Sequence, residues 1–316
     1  MQLYKSRDFS AFFADTFTFI KENGKHFFKH YLIINGVFLI VLAAIAYVFS
    51  AYFLQDVFNS AYGFETTNQF ESIINENPIL FALLILVFIL ISFLFAAISY
   101  AYVPIYFKLY EKTNSTNFET ADIINSYKTN FGKILVFVFL GFLLAIPLGI
   151  AFGIAGVILM VTIIGILLIP LLIGLFSGLY NATLLEYLDN KRGFLDSFGY
   201  AWTIITSKFW HSVGCMGIFY FMAYIIQGSL SVLQSIFNLG ATLTAPTINN
   251  LDEGDTESSI SVLIVTIVFF IVYFMVSFII NAILQINQSI VYYGVKEDND
   301  NLNLKNDIDL IGTSEA

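Results

Sequence analysis

The sequence predicts an all-α integral membrane protein: six transmembrane helices forming three hairpins, each hairpin preceded by an interfacial amphipathic helix. Three observations lead there. All fourteen Lys and Arg residues fall into four short clusters: Lys5 to Lys29, Lys108 to Lys133, Lys191 to Lys208, and Lys296 with Lys305. The intervening stretches 31–107, 134–190 and 209–295 hold no Lys or Arg, and each is long and apolar enough to cross a bilayer twice. Composition agrees, with 58% hydrophobic residues, mean hydropathy +0.80, and 12% charged residues against roughly 25% in an average soluble domain.

A hydrocarbon core of about 30 Å takes roughly 20 helical residues. The first crossing is placed at 30–54 and the second at 79–107. The run 134–185 is too long for one crossing, so it is divided into 133–153 and 157–181, with a turn at Gly153-Ile-Ala-Gly156. The fifth crossing, 211–237, ends where Asn238-Leu-Gly240 begins a loop, and the sixth spans 260–290. These runs are continuously apolar rather than alternating, which excludes a membrane β-barrel. Residues 1–295 thus form one transmembrane domain. Residues 296–316, acidic and without aromatics, are expected to be a flexible cytoplasmic tail in which Leu304, Ile308, Leu310 and Ile311 offer a short docking motif.

Cations confined to one side of every hairpin place both termini in the cytoplasm. Because the first apolar run begins near Tyr31, insertion is expected to be directed by the first crossing rather than by a cleaved leader. The net charge of −9 is sided as well. Asp56, Glu65, Glu71 and Glu76 share one outward loop, and Asp252, Glu253, Asp255 and Glu257 share another. Those eight account for nearly all the excess, so the low pI describes two loops, and nucleic-acid binding is excluded.

The hairpins read as an internal repeat. Ala14-Asp15, Lys21 and Asn23 precede the first crossing; Ala121-Asp122, Lys128 and Asn130 precede the third at the same offsets; Phe194 to Trp210 keeps the pattern before the fifth. In each copy apolar residues recur every three or four positions: Phe9, Phe13, Phe17 and Ile20; Phe118, Ala121 and Ile124; Phe194, Phe198, Ala201 and Ile205. That spacing gives a short helix with one greasy face, expected to lie in the headgroup region and turn sharply into its crossing, with Asn23-Gly24 as a break point.

The segment Leu184-Leu185-Glu186-Tyr-Leu-Asp189-Asn-Lys191-Arg192-Gly193-Phe194-Leu195-Asp196-Ser197-Phe198-Gly-Tyr-Ala-Trp202, followed by Lys208-Phe209-Trp210, resembles the six-helix membrane domain attached to some bacterial glycerophosphodiester phosphodiesterases and related bacterial inner-membrane proteins. The Arg that usually follows Ser-Trp in that element is absent. The resemblance implies a bacterial inner-membrane location and this architecture. It brings no active site, since the membrane part of that family carries none.

Chemistry finds little purchase in the sequence. His26 and His30 share a helix face, as zinc ligands can, but no third ligand accompanies them and His211 stands apart. One cysteine, Cys215, excludes an internal disulfide. No nucleophile motif or phosphate-cradling loop occurs, so neither an enzyme nor a cofactor is expected. No ionisable residue is found at crossing depth, which argues against an ion-coupled carrier.

Binding candidates remain. Lys21, Lys25, Lys29, Lys128, Lys133 and Lys208, with Trp202 and Trp210, belong at the inner interface as lipid-headgroup contacts, or serve topology alone. Gln227, Ser231 and Gln234 on the fifth crossing and Ser277, Asn281, Gln285 and Gln288 on the sixth form polar stripes. Interhelical hydrogen bonding is the simpler reading of these stripes, and two half-cavities the alternative. Gly141, Ala145, Gly149 and Gly153 along the third crossing, and Gly174, Gly178 and Ala182 along the fourth, let helices approach closely, which predicts a tightly packed third-and-fourth hairpin; the alternative turns the stripe toward lipid or toward an oligomer contact. Pro104, Pro147 and Pro170 are expected to kink their helices. The function these features favour is a non-enzymatic accessory or scaffold subunit that binds a membrane-protein partner or inner-leaflet lipid. The alternative is a permease or lipid transporter with a cavity between the fifth and sixth crossings.

Overall fold

The computed structural model describes residues 1–49, 75–244 and 256–301; the described chain is almost wholly helical and contains no strand. Its helices are α1 (Phe9–Phe49), α2 (Pro78–Thr113), α3 (Thr120–Met160), α4 (Ile163–Leu188), α5 (Phe194–Ser207), α6 (Phe209–Thr244) and α7 (Thr256–Asp300). Five of them, α2, α3, α4, α6 and α7, are long and apolar enough to cross a membrane. The first expected crossing, 30–54, runs along the second half of α1 and leaves the described residues at 50.

The helices are longer than a bilayer requires, and that locates the core. In α2 the large apolar side chains from Ile79 to Leu94 are mostly exposed, whereas Ala97, Ala101 to Phe107 and Tyr110 are buried. Twenty residues from Pro78 already supply about 30 Å of rise, so the last turns of α2 project past the apolar belt. The best-packed region lies at that end. Phe19 and Phe27 of α1 interlock there with Tyr102, Tyr106 and Phe107 of α2, all fully buried. Phe19 stacks on Phe107 at 4.9 Å, and Phe27 meets Tyr106 edge-on at 4.9 Å.

This packing corrects the expected break at Asn23-Gly24. α1 passes straight through it, because the segment before the apolar run is itself core and an interruption would orphan backbone groups in an aromatic interior. α3 likewise runs unbroken from Thr120. Only the third copy bends: α5 stops at Ser207, and α6 starts at Phe209 after the non-helical Lys208. The greasy face of α5 is as expected at Phe194, Ala201 and Ile205, which are buried. On α1 the buried face is instead Phe12, Thr16 and Phe19, with Phe17 exposed; on α3 it is Ile123, with Ala121 and Ile124 exposed. Phe9, Phe12, Phe13, Phe17 and Phe19 fall on more than one face, which masks the true phase of α1.

Other boundaries also shift. The turn between the third and fourth crossings falls at Val161-Thr162, not at Gly153 to Gly156. Thr162 supplies what those glycines lack, a side-chain oxygen that accepts a 2.9 Å hydrogen bond from Gly165 N–H and caps α4. α6 continues through Asn238-Leu-Gly240 to Thr244. α7 continues past Lys296 to Asp300, so a tail beginning at 296 is overturned; residues 302–316 lie outside the described residues. Pro104, Pro147 and Pro170 all sit inside helices.

Small residues act elsewhere than expected. A Cβ on Gly174 would lie 3.0 Å from Gly217 N, and one on Gly178 would fall on the Met216 sulfur, so α4 makes its closest approach to α6. Gly141 faces Tyr180, but nothing lies within 4 Å of a Cβ at Gly149 or Gly153, which are surface positions rather than a seam. The tight pair is α4 with α6.

Candidate functional site

Return helices α2, α4 and α7 each end on an Asn-terminated turn: Asn114, Asn190 and Asn301 are the described non-glycine residues with positive φ. Asn tolerates that left-handed cap better than most side chains. The three ends meet, and there the sequence hid a buried charge cluster. Lys296 Nζ of α7 lies 2.7 Å from Glu186 and 3.1 Å from Asp189, at the end of α4. Lys108 of α2 bridges Asp189 and, at 3.0 Å, Glu111. Arg192 pairs with Glu186, Tyr292 OH donates to Glu186 at 2.6 Å, and Tyr293 OH donates to Glu111 at 2.8 Å.

Three carboxylates thus meet three cations, and Glu186 and Lys296 are 0% and 3% exposed. Burial alone would raise the Asp189 carboxyl, but Lys108 and Lys296 override it and hold the group below its ordinary range. With every charge paired, the cluster acts as a clamp that fastens one hairpin to the next. Sequence reading passed over it because Glu186 and Asp189 stand beside a cationic cluster and look solvated. The recoverable signal was i,i+3 charge spacing, Lys108 with Glu111 and Glu186 with Asp189, at two helix ends.

The same end gathers cations from all four sequence clusters. Arg7 is buried and donates to Asp15 at 2.7 Å and to the carbonyls of Gln2, Leu3 and Lys5, winding the residues before α1 around its guanidinium. Lys208 reaches Asp298 at 2.6 Å. Lys133 donates to Tyr187 O at 2.9 Å and lies over that ring. Lys133 and Lys208 are therefore tied to protein groups. Lys21, Lys25, Lys29 and Lys128 are exposed, as are Trp202 and Trp210. His26 bonds Tyr106 OH and Phe118 O, each at 2.9 Å, and His30 bonds Thr120 Oγ1 at 2.7 Å, so both histidines staple α1 to its neighbours. Among the described residues no three His, Cys, Asp or Glu side chains converge on one point.

The polar stripes separate by role. Gln288 is buried and forks: Nε2 donates to Ser177 Oγ at 2.9 Å and to Tyr220 OH at 3.3 Å, while Oε1 accepts from Asn181 at 3.1 Å. Asn181 was absent from the candidates, yet it is fully buried and also donates to Gln285 O. Ser231 and Asn281 bond carbonyls of their own helices, at Gln227 and Ser277.

Ser277, Asn281 and Gln285 line a cavity of about 310 Å³, and Gln227, Ser231 and Gln234 do not. Its walls come from α1, α2, α4, α6 and α7 rather than from two helices, with Tyr31, Phe95, Ser99, Tyr100, Ser177 and Tyr220 completing the lining. A second hollow, about 380 Å³, lies between α1, α2 and α3. Ile34, Phe38, Ile98, Ile124, Tyr127 and Phe131 wall it, and Lys128 is its one charged lining residue.

Comparison with known protein families, curated proteins and solved structures finds no match to this chain.

Proposed function

We propose that the protein is a non-enzymatic bacterial inner-membrane accessory or scaffold subunit, with six crossings and both termini cytoplasmic, that holds an inner-leaflet phospholipid in the groove between α1, α2 and α3. The groove carries this reading. Its walls are apolar and suit an acyl chain, and the Lys128 ammonium at its edge suits a phosphate. Exposed Lys21, Lys25 and Lys29, one helical turn apart on α1, extend a cationic surface for the same leaflet. The resemblance of Leu184 to Trp202 to the membrane domain of phosphodiesterases supports the location, and the charges of the clamp are engaged with one another rather than free for acid–base work.

Native mass spectrometry of the protein purified from membranes containing phosphatidylglycerol is expected to retain about one lipid per chain, and Lys128→Glu is expected to lose it. Crosslinking in native membranes is expected to recover a stoichiometric partner. Repeated recovery of a bare, lipid-free chain by both routes would sink the reading.

A second reading, passage of a lipid or an uncharged solute, is favoured by the polar cavity. It requires Asn281→Leu and Gln285→Leu to abolish a transport phenotype at normal expression, and unchanged flux in both removes it.

A further inference from the structure

Tyr100, Ser277 and Gln285 all line one cavity, and each carries a buried side-chain oxygen (Tyr100 OH, Ser277 Oγ and Gln285 Oε1) with no hydrogen-bond partner in the protein. Each such atom costs about 1–3 kcal/mol unless something bonds it, so a small rotation of these side chains toward a polar guest in the cavity would relieve a cost already present. We propose that this cavity binds an uncharged polyhydroxyl group, a sugar, presented either as the headgroup of a membrane glycolipid or as the free molecule.

The lining selects that chemistry. It includes Ser99, Tyr100, Ser177, Tyr220, Ser277, Asn281 and Gln285 but no ionisable acid, lysine, arginine or histidine, so a phosphate or carboxylate finds no counter-charge. Hydroxyls and amides both donate and accept, which matches the alternating demands of neighbouring hydroxyl groups. One side is aromatic: Tyr31, Phe95 and Phe278 line it, with Tyr31 stacked on Phe278 at 4.4 Å and Phe95 nearly parallel to Phe278 at 6.0 Å. A sugar ring presents apolar C–H faces to such a wall and its hydroxyls to the rim.

The polar groups are also held in place. Gln288 forks onto Ser177 and Tyr220 from behind, Asn181 fixes Gln288, and Ser99 donates to Asn35 at 2.6 Å. A site fixed before ligand arrives loses less entropy on binding. The volume of about 310 Å³ sits at the small end of the roughly 300–1,000 Å³ range of ligand sites, with room for a sugar ring and not for two acyl chains. Ala96 of α2 and Phe274 and Asn281 of α7 are lining residues that are exposed, so the mouth opens sideways between these two helices. A headgroup can enter there while its chains stay in the bilayer. This site is separate from the groove at Lys128 and does not depend on a phospholipid there.

The test uses the full chain in phosphatidylcholine nanodiscs, offered monoglucosyl diacylglycerol, diacylglycerol or free glucose, with native mass spectrometry and equilibrium dialysis as readouts. One glucolipid per chain is expected to be retained and diacylglycerol not. Retention is expected to fall at least tenfold in Ser277→Ala and Gln285→Leu but not in Gln227→Leu. Displacement by millimolar glucose identifies the free sugar as the ligand, and its failure identifies the lipid-borne form. Equal retention of both lipids overturns the proposal, as does retention unchanged in Ser277→Ala or binding of neither glucolipid nor glucose. Should Gln285→Leu fail to fold, Ala96→Phe, which closes the mouth from an exposed position, decides in its place.

Discussion

Lys296 and Glu186, 110 residues apart in the chain, face each other across 2.7 Å, both buried. Two charges so enclosed are costly to bring together and costlier to separate. Lys296→Met should therefore destabilise the protein by about 3–5 kcal/mol, because Glu186 loses its most buried counter-charge. Adding Glu186→Gln should recover a large part of that loss. Denaturation midpoints of the single and double variants in one detergent check the cycle.

Acid should loosen the same clamp. Asp189 is burial-raised but held below its ordinary value of 3.8 by Lys108 and then Lys296. A carboxyl with a depressed folded pKa contributes stability that is fully present above its unfolded value and lost as pH falls through the folded one. Stability is expected to hold from neutral pH down to the ordinary Asp range and to fall below it. Lys108→Met should shrink that loss and shift its lower end to higher pH, because the folded pKa of Asp189 then lies closer to the unfolded one. An unfolding series across acid pH, wild type beside variant, reads the shift.

The two glycine stripes should respond oppositely to substitution. Gly178→Leu places a side chain on Met216 and should destabilise by about 1–3 kcal/mol through overpacking. Gly149→Leu meets open space and should stay within about 0.5 kcal/mol. Equal effects at both positions would contradict the packing of α4 against α6.

The contrast shows what a sequence of this kind makes legible. Span-length apolar runs bounded by cations survive any packing arrangement, so the five helices long and apolar enough to cross a membrane were readable from hydropathy alone. Which face of each helix is buried is not, since lipid and protein interior are equally apolar: the Gly149 and Gly178 stripes look alike on paper, and only one meets another helix. Phe9, Phe13 and Phe17 have helical spacing, yet Phe12 and Phe19 carry the core, because nearly every turn of α1 offers a Phe on more than one face. The cavity was half visible. Ser277, Asn281 and Gln285 stood out as polar residues in an apolar helix, whereas Tyr100, Ser177 and Tyr220 are ordinary residues that only the tertiary fold brings beside them. Lys296 was read as the start of a tail because the residues after it are acidic and polar, and nothing local reveals that its partner is Glu186.

Lys128 and Lys133, five residues apart on α3, separate lipid contact from structure. Lys133 donates to the Tyr187 carbonyl and sits 4.9 Å over that ring, tying α3 to the end of α4. Lys128 is exposed at the edge of the apolar groove, and among the described residues it forms no ion pair. Lys133→Met should therefore cost about 1 kcal/mol of stability, discounted for its partial exposure, and leave lipid retention unchanged. Lys128→Met should do the reverse, leaving the unfolding midpoint in place while weakening phosphatidylglycerol retention several-fold. Unfolding midpoints and native mass spectra of the two variants, measured side by side, separate the roles. If Lys133→Met releases lipid and Lys128→Met does not, the phosphate lies on the other side of α3 and the groove is not its seat.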